Sequence, residues 1–137
     1  MSVEVPISIR GETDVRRAVL ESTRFAQEIG FDETRSRMIA TAVSELARNI
    51  LKYAGSGELR LKRVSGSQGA GVEIEASDHG PGIPDVDAAM SDHFSSGGTL
   101  GMGLPGVKRM MDDFDLDSEP GRGTRVNARK WLGVARP

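Results

Sequence analysis

"SELARNILKYAGSGELRLKRV", residues 44–64, changes its hydrophobic period halfway along, and that change decides the fold. The first half continues a stripe of Ile39, Ala42, Val43, Leu46 and Ile50 at the spacing of one helical face, and Gly55 stands where such a helix stops. The second half alternates instead, Leu59 and Leu61 falling between Glu58, Arg60 and Lys62. A helix over 33–53 therefore feeds a strand over 57–64.

The pattern extends in both directions. Beyond the "SGSQGAG" turn, "GVEIEASD" (71–78) alternates again, so 57–64 and 71–78 form an antiparallel hairpin that ends on Asp78. Upstream, Val15, Ala18, Val19, Ser22, Phe25, Ala26 and Ile29 share one face of a helix over 14–29, with Gly30 as its stop and Asp32 as cap of the next helix. "VEVPISI" (3–9) reads as a strand, with Pro6 pointing to an edge position. Downstream come a short helical piece over 86–90 and "SDHFSSGGTLGMG" (91–103), a loop too rich in Gly and Ser to bury a face. Leu104, Val107, Met110, Met111 and Phe114 predict a helix over 104–114, and "FDLDSEPGRGTRVNARKWL" predicts two strands about a glycine turn. Strand, helix, helix, hairpin, loop, helix, hairpin is the order of an α+β two-layer sandwich with helices on one sheet face. A doubly wound parallel sheet needs more regular alternation.

The composition bounds the function. A chain of 137 residues suits one domain spanning 1–137, with no linker or internal repeat. With no cysteine, thiolate zinc sites, disulfides and a cysteine nucleophile are excluded; this suits a reducing, cytoplasmic setting and narrows metal options to oxygen ligands. No apolar run approaches the roughly 20 residues of a membrane span, and the N-terminus lacks a signal-peptide layout. A net charge of −2 provides no general attraction to nucleic acid or acidic membrane, and "RLKR" (60–63) reads as a solvated strand face.

Four short features carry chemistry. "GMGLPGV" (101–107) satisfies G-x-G-x-x-G, but no strand directly precedes it, no H-R-D or D-F-G occurs, and Gly106 is not followed by Lys-Ser/Thr. What remains is a glycine turn into a helix N-terminus, which either binds an anion through unpaired N–H groups or simply turns the chain. "DHGPGIP" (78–84) places a carboxylate at a strand end beside Gly80 and Gly82. It is either an ordinary Asp turn or an acceptor for an exocyclic amine, which prefers adenine to guanine. With Ile39 at zero on a helical projection, Glu45 lies near about 240° and Asn49 near about 280°, at the margin of the apolar stripe. They are either half-buried hydrogen-bonded polar residues, or an amide that ligates Mg²⁺ beside a carboxylate that accepts a hydroxyl proton, with Lys52 within reach of the same phosphate tail. "GRGT" (121–124) turns into the last strand and offers the Thr124 hydroxyl.

In this order, "ELARN" (45–49), "DHGPG" (78–82), "GMGL" (101–104) and "GRGT" (121–124) resemble the N box, glycine boxes and closing G-x-x-G-T-like element of the GHKL ATPase and kinase superfamily. The resemblance covers essentially the whole chain. "SELARNI", "GPGIPD", "GLPGVKRMMDDF" and "KW" are similar, within that superfamily, to the small serine/threonine switch kinases of the bacterial stressosome, the RsbT type. The resemblance implies a Bergerat fold with a mixed, mostly antiparallel sheet, and an ATP-dependent kinase that uses Mg²⁺. By the same resemblance Glu45 would be the general base and Asn49 the Mg²⁺ ligand; Asp78 would bind the adenine amino group, with Gly80 and Gly82 letting the backbone approach. Gly101 and Gly103, flanking Met102 and followed by Leu104, would meet phosphates, and residues 93–100 with Gly97 and Gly98 would form an ATP lid. Thr124 would support the adenine side, while Lys52 and Tyr53 match an Asn-x-x-Lys-Tyr run whose side chains touch phosphate and nucleotide.

The implied partners are a STAS-domain antagonist protein as substrate, the stressosome complex, and a phosphatase activated after release. An anti-sigma factor kinase of the same fold is the alternative, and a non-catalytic nucleotide-binding module is a third, against which the intact Glu45 argues. Arg48 reads as a phosphate or partner contact or as a solvent-facing ion pair. His79 and His93 lack carboxylates at ligand spacing, Met90, Met102, Met110 and Met111 read as packing residues, and Trp131 as a core or edge anchor.

Overall fold

The computed structural model describes residues 4–91 and 103–133. The order is β1 (Glu4–Ile9), α1 (Glu12–Ile29), α2 (Glu33–Ala54), β2 (Gly57–Gly66), β3 (Gly69–Asp78), α3 (Val86–Ala89), α4 (Gly103–Met110), β4 (Asp113–Glu119) and β5 (Gly123–Trp131). The five strands form one sheet in the order β1-β2-β3-β5-β4, and every pairing is antiparallel. The parallel component expected of a mixed sheet does not occur among the described strands. Pro6 lies on edge strand β1, where a missing N–H costs no ladder bond on the open side.

Helices cover one face. Ile7, Ile9, Leu59, Leu61, Val72, Ile74, Val126 and Ala128 are buried beneath Val15, Phe25, Ile39, Val43, Leu46 and Ile50 in a single core. Each large aliphatic side chain buried this way contributes about 1.5–3 kcal/mol. The other face carries charge in register: Glu4, Lys62, Glu73, Arg129 and Asp113 run across the five strands. Arg129 Nε lies 2.6 Å from Glu73 Oε2, and Lys62 Nζ lies 3.5 Å from Glu75 Oε1. Arg60 meets Glu4 at 2.6 Å and Glu58 at 2.7 Å, and these carboxylates raise its pKa above the ordinary value. Arg60 and Lys62 of "RLKR" are thus paired with carboxylates on this face, while Leu61 between them is buried in the core.

Local chemistry sets the boundaries. Asp32 Oδ1 accepts the Arg35 N–H at 2.8 Å and starts α2, while the Gly55 N–H bonds the Ile50 and Leu51 carbonyls at its end. The helix expected over 104–114 is shorter. It stops at Met110, whose carbonyl accepts a 2.6 Å hydrogen bond from the wholly buried Lys130 Nζ. The Asp112 N–H then bonds the Arg129 carbonyl at 2.8 Å, so Phe114 joins β4 and pairs with Ala128. The apolar spacing of Met110, Met111 and Phe114 fits one more helical turn, but "DFDLDSE" also alternates, and an open edge on β5 captures it.

Candidate functional site

The helix layer and the sheet part at one end, and the recess there is lined by Leu46, Asn49, Ile50 and Tyr53 of α2, Ala76 and Asp78 of β3, and Thr124 and Val126 of β5. Asp78 and Thr124 are register partners across β3 and β5, each 8% exposed. Asp78 Oδ1 accepts the Gly80 N–H at 2.9 Å, an Asx turn that fixes the carboxylate at the mouth of the loop after β3. The recess measures about 10 Å³, room for one water. Asn49 and Tyr53, both half-buried, are among its lining residues.

The loop after β3 is sewn to the β4–β5 turn. The Gly121 N–H bonds the Pro81 carbonyl at 2.9 Å, and the Ile83 N–H donates to Ser118 Oγ at 2.8 Å. Two glycines make this approach possible. Gly82 has φ +86°, and a Cβ there would lie 2.6 Å from the Glu119 carbonyl oxygen; Gly123 has φ +89°, and a Cβ there would lie 2.1 Å from the Asp78 carbonyl oxygen. Gly80 packs against the end of α2, where an added Cβ would fall 2.5 Å from Ala54 Cβ.

Glu45 and Asn49 sit one turn apart on α2, both half-buried, at the core margin that the helical projection expects. Glu45 Oε2 accepts the Gly103 N–H at 2.9 Å. Gly103 opens α4, so the carboxylate takes one of that helix's unpaired N–H groups at its positive end, a charge-assisted hydrogen bond. Leu104 buries its side chain in the core. Lys52 is exposed, its ammonium 5.2 Å from the Tyr53 ring centroid. Gly97, Gly98, Gly101, Met102, His93 and the rest of the 93–100 segment lie outside the described residues.

Other candidates fall into structural roles. Arg48 Nη1 donates to both Glu12 carboxylate oxygens at 2.8 and 3.0 Å, an exposed ion pair between α2 and α1. His79 is exposed, and among the described residues no group of three or more His, Asp or Glu side chains surrounds a metal position. Trp131 is half-buried near the sheet end, its Nε1 donating to Asp113 at 2.9 Å. Ser118 is the residue that motif reading misses. The available signal is periodic: Phe114, Leu116 and Ser118 share the half-buried face of β4, where a hydroxyl needs partners.

Comparison with known proteins identifies the family. The family model for the histidine kinase-like ATPase domain matches residues 10–130. The "Serine/threonine-protein kinase RsbT" of Bacillus subtilis (strain 168) is 47% identical over 126 residues, covering 92% of this chain and 95% of the relative. The "Anti-sigma F factor" of Thermoanaerobacter sp. (strain X514) is 31% identical over 99 residues, 69% of each chain. A solved histidine kinase domain from the Erythrobacter litoralis EL346 blue-light activated histidine kinase superposes with a TM-score of 0.53 at 20% identity, covering 88% of this chain and 60% of that one, a likeness of fold. A family match across most of the chain and near-complete coverage of a kinase relative lead to one conclusion: the chain belongs to the histidine kinase-like ATPase domain family and, within it, to the serine/threonine-protein kinases of the RsbT group.

Proposed function

We propose that this kinase phosphorylates a serine or threonine of a STAS-domain antagonist protein in a stressosome complex in the cytoplasm, and that its release then activates a partner phosphatase. The observation that carries the reading is Glu45, a half-buried carboxylate oriented by the Gly103 N–H one turn from Asn49. A pure binding module needs the amide and the glycines but no such carboxylate.

The residues fit Mg-ATP. Asp78 and Thr124 offer buried polar groups side by side among the apolar Leu46, Ile50, Ala76 and Val126, which suits the edge and the flat faces of a purine once Asn49 and Tyr53 move outward to widen the recess. Asn49 offers one hard oxygen at the rim, which suits an ion that keeps waters and takes its other ligands from phosphate. Bound Mg-ATP supplies the phosphoryl group and neutralises charge as it moves.

This chain's own groups do the rest. Asp78 accepts the exocyclic amine, using the carboxylate oxygen that does not hold the Gly80 N–H. Glu45 takes the proton of the substrate hydroxyl through Oε1, while Oε2 stays on the Gly103 N–H so that the carboxylate does not rotate. Lys52 and Tyr53 flank the phosphate tail, and the backbone N–H groups of the Gly101–Leu104 stretch other than that of Gly103 are its proposed contacts. Positioning of this kind suffices for phosphoryl transfer because the reaction asks little covalent chemistry of the protein.

The anti-sigma F relatives support a second reading, an anti-sigma kinase of the same fold that binds a sigma factor directly. Radiolabelled ATP offered with purified STAS-domain proteins tests the first reading. Label on a STAS protein is expected; capture of a sigma factor with no STAS phosphorylation sinks the first reading in favour of the second.

A further inference from the structure

Ser118 stands at the meeting point of the two loops that close the recess. Its Oγ lies 2.8 Å from the Ile83 N, 2.9 Å from Thr124 Oγ1 and 3.4 Å from the Gly123 carbonyl oxygen. Thr124 is its register partner across β4 and β5, and Asp78 is the register partner of Thr124 across β5 and β3. Ser118, Thr124 and Asp78 thus form one row from the sheet edge to the recess.

A hydroxyl has one proton and two lone pairs. The Ile83 N–H occupies one lone pair of Ser118, which leaves its proton to be placed. If it goes to Gly123, Thr124 donates to Ser118 and shows the recess only lone pairs. If it goes to Thr124, the Thr124 proton is free to point into the recess. Distance favours Thr124, because O–H···O bonds span about 2.5–3.0 Å and the Gly123 contact is longer than that. Accepting the Ile83 N–H also polarises the Ser118 O–H and makes it the better donor of the two hydroxyls.

The two arrangements read different bases. A 6-aminopurine shows a donor at its amino group and an acceptor at N1; a 6-oxopurine shows an acceptor at O6 and a donor at N1. An accepting Asp78 oxygen beside a donating Thr124 complements the first pattern and opposes the second. We propose that Ser118 is a positioning residue that fixes the Thr124 hydroxyl as a donor and so makes the recess select 6-aminopurine over 6-oxopurine nucleotides. This rests on the nucleotide-site reading above.

The test measures binding of ATP and of inosine triphosphate, which differ only at the C6–N1 edge, by calorimetry on wild type, Ser118→Ala, Ser118→Thr and Asp78→Asn. Wild type and Ser118→Thr are expected to prefer ATP; in Ser118→Ala the ATP-to-ITP affinity ratio is expected to fall about tenfold, the effect of one misdirected hydrogen bond. A merely structural Ser118 weakens both nucleotides alike, so an unchanged ratio in Ser118→Ala, with a ratio that falls in Asp78→Asn, overturns the proposal. No preference in wild type and no effect of Asp78→Asn overturns the nucleotide-site reading itself. If Ser118→Ala does not fold, Ser118→Cys keeps the volume with a weak donor, and its ratio decides in the same way.

Discussion

The backbone N–H of Gly103 donates to Oε2 of Glu45 at 2.9 Å, across 58 positions of sequence. This bond joins the helix that carries the proposed base to the first residue of the helix that follows the glycine-rich segment. Glu45 can therefore act on a proton, on the position of α4, or on both.

Two substitutions separate these roles. Glu45→Gln keeps an acceptor for Gly103 but is no base; Glu45→Ala has neither. Both are expected to bind Mg-ATP and to lose phosphoryl transfer by about 10²- to 10⁴-fold, the range of general-base catalysis. Single-turnover transfer from labelled ATP measures this. Transfer at the wild-type rate by Glu45→Gln would make the residue an organiser rather than a base.

Asn49 is expected to behave differently. Asn49→Ala removes the one protein oxygen proposed for Mg²⁺ at the rim of the recess, so Mg-ATP affinity and transfer fall together. A magnesium titration of ATP binding is the check. Unchanged magnesium dependence would move the metal to another ligand.

The glycine turn before β5 offers a contrast within one loop. Gly123 and Gly121 both have positive φ, but a Cβ at Gly123 meets the Asp78 carbonyl oxygen at 2.1 Å whereas one at Gly121 meets nothing within 4 Å. Gly123→Ala is expected to lower unfolding free energy by about 2–4 kcal/mol, from left-handed strain plus overpacking. Gly121→Ala should lose only about 1 kcal/mol, from strain alone. Urea denaturation of both variants measures the difference, and equal losses would contradict the close approach at Asp78.

Lys130 has no solvent exposure and donates to the last carbonyl of α4 at 2.6 Å. Lys130→Met fills similar volume but leaves that buried carbonyl without this donor, an expected loss of about 1–3 kcal/mol. Hydrogen exchange should quicken in Met110 and Met111 more than in α1. Uniform exchange across both helices would argue for a global effect instead.

Arg48 is the opposite case. Its pair with Glu12 is exposed on both sides, so Arg48→Ala is expected to change stability by about 1 kcal/mol or less. ATP affinity should not change. A large loss of affinity, measured by calorimetry, would return Arg48 to the nucleotide.

The sequence by itself determined the elements and their order, because hydrophobic period and cap chemistry are local. Gly30, Asp32 and Gly55 bounded α1 and α2 where the structure ends and starts them, and the alternation around Leu59 and Ile74 placed the central hairpin. It also determined which residues share a face, so Glu45 and Asn49 were legible as a pair at the core margin. Tertiary structure alone decided what those faces meet. Phe114 left its helical pattern for β4 because the edge of β5 stood open, and Lys130, which reads as an ordinary strand lysine, became the cap of a helix it never touches in sequence. Ser118 and Gly103 found hydrogen-bond partners 35 and 58 positions away. Such bonds depend on how separate elements are brought together, and no local period records that.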